Sequence, residues 1–176
     1  MNIRIATNQD RDAISRVYSS AFPKGKSETV AKLALGLLSE DTTPRTISLI
    51  AESDDTVVGH VAFSPVGFLN YETCQAYILA PLAVQSDHQK RGIGSRLAEY
   101  GMQQLSMMGV NVVFVYGDPN YYGRFGFTAD AARNYTPPYD LQYPLGWQAK
   151  VLKACAIEKE PVATECVASL CDPKLW

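Results

Sequence analysis

The sequence predicts an α/β protein of the α+β type, built on one mixed, mostly antiparallel central sheet with helices on both faces. Alternating or β-branched apolar runs, typical of strands, recur along the whole chain. Runs with apolar residues at helical spacing follow the first strand and the fourth strand. The resulting order is βααβββαβαβ, in which early antiparallel strands precede a βαβ unit.

Length and composition limit the class of protein. The chain has 176 residues, 47% of them hydrophobic and 19% charged, which predicts a single globular domain over 1–176. The net charge of −2 gives no basic field for nucleic acid. No run approaches the ~20 apolar residues that span a bilayer, so we expect no membrane partner. The N-terminal residues lack a signal-peptide pattern, which predicts a cytoplasmic protein.

The four cysteines are Cys74, Cys155, Cys166 and Cys171. They form no C-x-x-C pair, and only two histidines could complete a metal site, so no metal is expected. Without a signal peptide, the cysteines are predicted to be reduced thiols.

The first half of the chain predicts two helices between strands. Thr7 or Asn8 can cap a helix that runs to Phe22, where Pro23-Lys24-Gly25 ends it. A second helix carries apolar residues from Val30 to Leu38. The predicted strands are 2–6, then 46–51 and 57–68 as a hairpin around Asp54-Asp55.

The second half predicts the βαβ unit, with strands 76–84 and 110–116 around a helix over 95–108. A short helical turn then carries Tyr121 and Tyr122. Further on, 147–156 is predicted as a late strand, and the tail from Glu160 fits either a strand or a short helix.

Proline cannot donate to a strand ladder, so Pro81 argues against an undisturbed central strand. Either this strand lies at an edge of the sheet, or it splays from its neighbour beside the proline. A splayed strand would leave main-chain donors and acceptors free for an amide-bearing ligand.

A short basic loop with two glycines opens the helix of the βαβ unit. Its residues are Gln89, Lys90, Arg91, Gly92, Ile93 and Gly94. Glycine permits a tight turn and a close approach of ligand, and the first free amides of a helix form an anion site. Leu97 replaces the third glycine of a dinucleotide fingerprint, and the P-loop ending is absent. The alternative is an ordinary strand-to-helix turn.

These residues together resemble the GNAT superfamily of N-acetyltransferases. The loop matches that family's pyrophosphate motif, [QR]-x-x-G-x-[GA], and Leu82-Ala83-Val84 matches the strand end that pairs with pantetheine. Tyr122, followed by Gly126-Phe127, matches the family's late tyrosine motif. Several segments, such as 59–65 and 80–84, resemble in sequence the YhbS-like branch of the family most closely.

The resemblance implies a GNAT-like sheet with a splay between the fourth and fifth strands. It implies acetyl-CoA as co-substrate, with its pyrophosphate on the amides from Lys90 to Ser95 and its pantetheine on Leu82, Ala83 and Val84. Tyr122 would protonate the departing thiolate, and Asn120 would contact the cofactor arm. The structural alternative for Tyr122 is a core tyrosine packed beside Phe125 and Phe127.

The general base is less well defined. Many relatives carry a glutamate on the strand before the loop, but 77–84 contains no carboxylate. His60 is a candidate because its reference pKa of ~6.5 suits a base near neutrality. The alternatives are a histidine satisfied by a neighbouring backbone carbonyl, Glu52 or Glu72 acting through water, or no dedicated base.

The expected function is transfer of an acetyl group to a primary amine, on a small molecule or a peptide, by direct attack in a ternary complex. The alternative is a catalytically weak acyl-CoA-binding or regulatory module. A monomer or a homodimer fits the sequence. The segment 135–147, rich in aromatic residues and proline, fits either a rigid loop or an acceptor-pocket wall.

Overall fold

The computed structural model describes residues 1–69, 71–157 and 161–176. Its strands are β1 Asn2–Ile5, β2 Ile47–Ser53, β3 Thr56–Phe68, β4 Ala76–Val84, β5 Val112–Tyr116, β6 Tyr135–Thr136, β7 Trp147–Val151 and β8 Val162–Cys166. Its helices are α1 Arg11–Ala21, α2 Lys26–Ser39, α3 Ile93–Met107, α4 Pro119–Tyr122 and α5 Ala129–Ala132. The predicted order is confirmed, with β6, β8 and α5 as additions.

The chain divides into two compact units. The first comprises 1–63 and 80–101, and the second comprises 64–79 and 102–176. The chain passes from one unit to the other within β3, β4 and α3, so each of these elements contributes to both.

In the first unit, antiparallel ladders join β1 to β2 and β2 to β3. Successive side chains of a strand point to opposite faces of the sheet. On one face of β3, the ring of His60 contacts Tyr18 of α1. On the other face, Gly59 lies beside Leu97 and Phe63 lies against Gly101, both of α3. Helices therefore cover both faces, as predicted.

The first helix begins as the sequence indicates. Thr7 caps a single 3-10 turn that continues into α1, and Asp10 completes a capping box by accepting from the Thr7 amide at 2.7 Å. Arg4 binds the Asp10 carboxylate and lies 2.7 Å from Glu52 of β2. These ion pairs connect the start of the helix to the sheet. The hydrogen bond from Arg4 is the main reason why the pKa of Asp10 is lowered to about 2.

In the second unit, β4 pairs with β5 in parallel, and β5 pairs with β7 antiparallel. The parallel ladder runs from Ala76 to Leu79 on β4, and the strand itself continues to Val84. Because β4 lies between β3 and β5 in the strand order, the edge-strand alternative for Pro81 is wrong. The ladder with β5 ends at Leu79, two residues before the proline, which fits the predicted splay.

The tail and the late strand differ from the sequence-based boundaries. The late strand ends at Val151, five residues before the predicted end, and its other edge meets Thr128 in a single bridge. The tail contains β8, which pairs with the end of β3. Of the predicted tail, Glu160 lies outside the described residues.

The prediction of reduced thiols was wrong for one pair, because Cys74 and Cys155 form a disulfide with Cα atoms 5.8 Å apart. The strand register explains how the sequence hides it. Ala76 pairs with Val112, which in turn pairs with Val151. The start of β4 and the end of β7 therefore lie at the same edge of the sheet, on either side of β5. Cys166 and Cys171 are free thiols.

The helices in the described ranges are all too short or too polar to cross a bilayer. Within the same ranges, no group of three or more His, Cys, Asp or Glu side chains is placed to hold a metal ion.

Candidate active site

The glycine loop, residues 89–94, joins a 3-10 turn after β4 to the first turn of α3. Two of its residues have left-handed backbone angles, Lys90 with φ of 61° and Gly92 with φ of 78°. A left-handed conformation is ordinary for glycine but costs a lysine free energy, and such strain clusters at ligand sites. The loop is therefore held in a shape that its own sequence does not favour at Lys90.

The main-chain amides of this loop are available to a ligand. The first helical bond of α3 runs from the Arg96 amide to the Gly92 carbonyl at 3.0 Å. Among the described residues, the six N–H groups from Lys90 to Ser95 have no hydrogen-bond acceptor within the chain. A row of free amides at a helix N-terminus, backed by the helix dipole, attracts an anion.

The side chains around the loop add positive charge. Lys90, Arg91 and Arg96 are all exposed. In the part of the chain that the structure describes, none of the three forms an ion pair. Three unpaired cationic side chains therefore lie in or near the loop, although the chain as a whole carries −2. This combination fits a pyrophosphate, which carries more charge than one carboxylate.

Side-chain hydrogen bonds fix the loop to its surroundings in the first unit. The Gln89 side chain donates to the Val84 carbonyl at 3.1 Å, so the loop is tied to the end of β4. Ser86 is anchored to α1, because its amide donates to the Ser20 hydroxyl at 3.0 Å. The Ser20–Ser86 contact could not be predicted from sequence patterns, since the two residues are separated by 66 positions.

The strand residues predicted to hold pantetheine lie where β4 leaves its ladder with β5. Ala83 is buried, and Leu82 and Val84 are half-buried. The Val84 carbonyl already accepts a hydrogen bond from the Gln89 side chain.

Tyr122 lies at the C-terminal end of α4, in the second unit. Its ring packs edge-on against Tyr121 and Phe127, with centroids 4.9 and 6.1 Å away. A Cβ on Gly117 would come within 2.5 Å of this ring, so glycine is required there for the ring to fit. The ring is thus packed beside the phenylalanines, as the structural alternative proposed.

The hydroxyl of Tyr122, unlike its ring, makes no contact that fixes it within the part of the chain that the structure describes. Among the described residues it has no hydrogen-bond partner. Burial, and secondarily the neighbouring Tyr121, raises the pKa of Tyr122 above its usual value. The group therefore stays protonated at neutral pH and has its proton free to donate. A packed ring and a free hydroxyl are compatible with a donor held in one orientation.

Asn120 lies in the first turn of α4. Its main-chain amide donates to the Asp118 carboxylate at 2.9 Å, which caps the helix. Its side chain is exposed and has no partner among the described residues. The side-chain amide of Asn120 is thus free to contact a ligand.

His60 is fully buried in the first unit, and both of its ring nitrogens are hydrogen-bonded. Nδ1 lies 2.7 Å from the Tyr18 hydroxyl, and Nε2 lies 2.8 Å from the Ser48 hydroxyl. Burial lowers the pKa of His60 to about 3. These contacts favour a structural role for the histidine, but its partners are two hydroxyls and not the backbone carbonyl that was expected. One sequence signal was available: β3 is apolar on both faces, a pattern typical of a strand covered on both sides.

The burial of His60 predicts a pH effect on stability. The unfolded chain binds a proton at His60 below about pH 6.5, but the folded protein does not until about pH 3, so acid favours unfolding through this range. Between pH 7.5 and 5.0, we expect this group to remove on the order of 2 kcal/mol from the free energy of unfolding.

Urea unfolding at the two pH values measures this effect in the wild type and in His60→Gln. On acidification, the free energy of unfolding of the glutamine variant should fall by about 2 kcal/mol less than that of the wild type. Equal losses in both proteins would show that His60 does not titrate differently on unfolding.

Comparison with known proteins identifies the class of this site. A model of the acetyltransferase (GNAT) domain matches residues 2–129, which cover the glycine loop and Tyr122. The chain therefore belongs to the GNAT acetyltransferases, and the family predicted from the sequence is confirmed. By class it is an acyltransferase.

Individual relatives agree with the family. The chain is 33% identical over 154 residues to the uncharacterized N-acetyltransferase YjhQ of Escherichia coli K12, a match that covers 85% of this chain and 83% of the relative. The structure of YhbS from Escherichia coli in complex with CoA superimposes with a TM-score of 0.81 at 27% identity, covering 96% of this chain and 90% of that one.

A GNAT-family acetyltransferase from Brucella melitensis, solved with acetyl-CoA, has a TM-score of 0.71 and 29% identity. The match covers 92% of this chain and 94% of that chain. The predicted GNAT fold is confirmed by both structural comparisons.

Proposed function

We propose that this protein transfers an acetyl group from acetyl-CoA to a primary amine by direct attack in a ternary complex. The observation that carries the proposal is the row of six free N–H groups from Lys90 to Ser95 at the start of α3. Two similar proteins were solved with CoA and with acetyl-CoA, which supports the same ligand here.

In this proposal, each group of the chain has one task. The amides from Lys90 to Ser95 bind the pyrophosphate, with Lys90 and Arg91 adding charge. The main chain of Leu82, Ala83 and Val84 orients pantetheine beside the splay. Holding both reactants in place supplies the larger share of catalysis, since orientation is worth ~7–11 kcal/mol.

The chemical step exchanges one bond for another. The amine lone pair attacks the thioester carbonyl, a C–N bond forms, and the C–S bond breaks. The leaving thiolate takes the proton of the Tyr122 hydroxyl, the attacking amine releases one proton, and solvent returns a proton to the Tyr122 phenolate. Because both nitrogens of His60 are already bonded, we propose that water, rather than His60, removes the amine proton.

The competing proposal is an acyl-CoA-binding module with little turnover. The buried state of His60 and the lack of a carboxylate on β4 favour it, because each removes one candidate for the general base. The free hydroxyl of Tyr122 favours the enzyme, since a binding module has no need of a proton donor.

Two measurements on the full chain separate these proposals. Calorimetry with coenzyme A tests the amide site, and no heat of binding would overturn both. Release of free thiol from acetyl-CoA in a panel of primary amines tests turnover. Binding with turnover above the amine-free rate supports the enzyme, and binding without turnover across the panel supports the module.

A further inference from the structure

Two polar side chains of β7, in the second unit, have no part in the site described above. Gln148 has only 1% of its surface exposed, and Lys150 is half-buried. The ladder between β5 and β7 is continuous through both residues, which are two positions apart and so point to the same face of the sheet. Burying a polar side chain costs free energy unless its hydrogen bonds are made. The partners of these two groups therefore indicate what they do.

Gln148 holds the chain directly before α4. We call residues 117–126, which carry Tyr122 between two glycines, the Tyr122 turn. The side-chain amide of Gln148 donates to the Gly117 carbonyl at 3.2 Å and to the Gly146 carbonyl at 3.3 Å. The Gly117 amide in turn donates to the Gly146 carbonyl at 3.0 Å. Both polar groups of the Gly117 main chain are therefore bonded, and the start of the Tyr122 turn is fixed.

The position of Gly117 decides where the ring of Tyr122 lies. A Cβ on Gly117 would come within 2.5 Å of that ring, so the ring packs directly on the glycine main chain. The next residue, Asp118, caps α4, and its carbonyl accepts from the Tyr122 amide at 3.0 Å. A shift of Gly117 would therefore move both the surface under the ring and the start of the helix that carries it.

Lys150 holds the other end of the Tyr122 turn. Its ammonium group donates to the Phe125 carbonyl at 2.6 Å, where the 3-10 turn that follows α4 ends. A lysine that bonds the last carbonyls of a helical turn stabilises it, and a charged donor makes a stronger hydrogen bond than a neutral one. A Cβ on Gly126 would lie 3.6 Å from the Lys150 side chain. The lysine therefore lies along the last residues of the Tyr122 turn.

We propose that Gln148 and Lys150 are positioning residues, which together hold the Tyr122 hydroxyl in the orientation that proton donation requires. Because this hydroxyl has no hydrogen-bond partner among the described residues, its direction is set by the turn that carries it. One strand fixes that turn on both sides of Tyr122, at Gly117 and at Phe125. The catalytic meaning of this arrangement rests on the proposed function, whereas the anchoring of the turn does not.

The first test follows Tyr122 itself and needs no substrate. Tyrosine labelled with ¹³C at Cζ reports the ionisation of each phenol by NMR, and the signal of Tyr122 is the one that Tyr122→Phe lacks. Burial holds the pKa of this phenol above its usual value of ~10. Gln148→Met and Lys150→Met remove the donors and keep a long side chain. Each should lower the pKa toward ~10, because a released ring is more exposed to water.

The sign of this change makes the test specific. Loss of the Lys150 charge by itself disfavours the phenolate and would raise the pKa of Tyr122, so a fall reports release of the turn. If Tyr122 titrates in both variants as it does in the wild type, the proposal is wrong.

Two further variants identify the contact at Phe125 as the cause. Lys150→Arg keeps a charged donor and should retain most of the raised pKa. Lys153→Met removes an exposed lysine beyond the end of β7 and should change nothing. An equal effect of Lys153→Met and Lys150→Met would rule out the Phe125 contact. Thermal unfolding checks that each variant is folded, and if Gln148→Met does not fold, the half-buried Lys150 decides the question.

Turnover in double variants separates positioning from a general structural role. At saturating acetyl-CoA, Lys150→Met should lower the rate of acetyl transfer by about 10- to 100-fold, since a displacement of about 1 Å can cost that much. Affinity for coenzyme A should be nearly unchanged. Added to Tyr122→Phe, the same substitution should have little further effect, because the group that it positions is already gone. An equal fall in both backgrounds would show that Lys150 does not act through Tyr122.

The two kinds of measurement also distinguish this inference from the proposed function. If the variants release the Tyr122 ring but the wild type acetylates no amine, the anchoring of the turn stands and the proposed function fails. If turnover depends on Tyr122 but neither Gln148→Met nor Lys150→Met changes its titration or the rate, the function stands and the positioning role is wrong.

Discussion

Replacing Tyr122 by phenylalanine is expected to lower the rate of acetyl transfer by about 10²–10⁴-fold, the usual contribution of a positioned general acid. Affinity for coenzyme A should be nearly unchanged. The reason is that the hydroxyl of Tyr122 has no partner among the described residues, so its removal costs only the proton donor. The measurement is single-turnover release of thiol at saturating acetyl-CoA, with affinity measured separately by calorimetry.

The packing of Tyr122 makes this variant a clean one. Phenylalanine keeps the ring that lies against Gly117, Phe125 and Phe127, so the fold of the turn should persist. Tyr121→Phe is the matched control, since it removes a hydroxyl from the adjacent ring and should leave turnover close to that of the wild type. Equal effects of the two variants, or a fall in affinity alone, would contradict the proposed role.

The raised pKa of Tyr122 predicts how the rate of acetyl transfer depends on pH. Because burial favours the neutral phenol, Tyr122 should remain a donor well above pH 9. The rate should therefore show no loss attributable to Tyr122 up to that pH, which the pH profile of the wild type measures directly. A basic limb that is present in the wild type and absent from Tyr122→Phe below pH 9 would argue against a raised pKa.

The glycine loop could be predicted because all of its determinants are local. A strand, a loop with two glycines and an amphipathic helix follow one another within about thirty residues, and helix starts expose amides wherever they occur. The left-handed angle of Lys90 could not be foreseen, since lysine has no preference for it.

Two features depend on contacts between distant parts of the chain and could not be predicted: the disulfide and the hydrogen-bond partners of His60. Cys74 meets Cys155 only because β4, β5 and β7 align across two ladders. His60 is satisfied by Tyr18 and Ser48, which lie 42 and 12 positions away. Residue type suggested a base, but burial and two hydroxyl partners, both products of the assembled sheet, favour a structural role.

Burial of aromatic side chains bears on the two interpretations of 135–147, a rigid loop or a pocket wall. Trp147 is buried and Tyr135 half-buried, which agrees with a rigid covering loop. The same segment also lines a groove. A loop can therefore be rigid and form a pocket wall at once, a combination that sequence patterns do not distinguish.

Replacing Gly92 by valine is expected to weaken coenzyme A binding by about 5- to 150-fold, which corresponds to the ~1–3 kcal/mol cost of a left-handed β-branched residue. Gly92 has φ of 78°, and a Cβ there would meet no atom within 4 Å, so the effect comes from backbone strain and not from a clash within the protein. The free variant relieves the strain by changing the loop. Binding must then restore the strained shape, and the affinity falls by that amount.

Gly109, at the other end of α3, provides a matched control. It also has a left-handed φ, of 82°, with no atom within 4 Å of a Cβ. Gly109→Val should therefore impose a similar backbone strain and a similar loss of thermal stability, yet leave coenzyme A affinity unchanged. Calorimetry with coenzyme A and thermal unfolding of both variants make the comparison. If Gly92→Val binds coenzyme A as tightly as Gly109→Val does, the amides of the glycine loop are not what holds the pyrophosphate, since the same strain would then have the same consequence at either end of the helix.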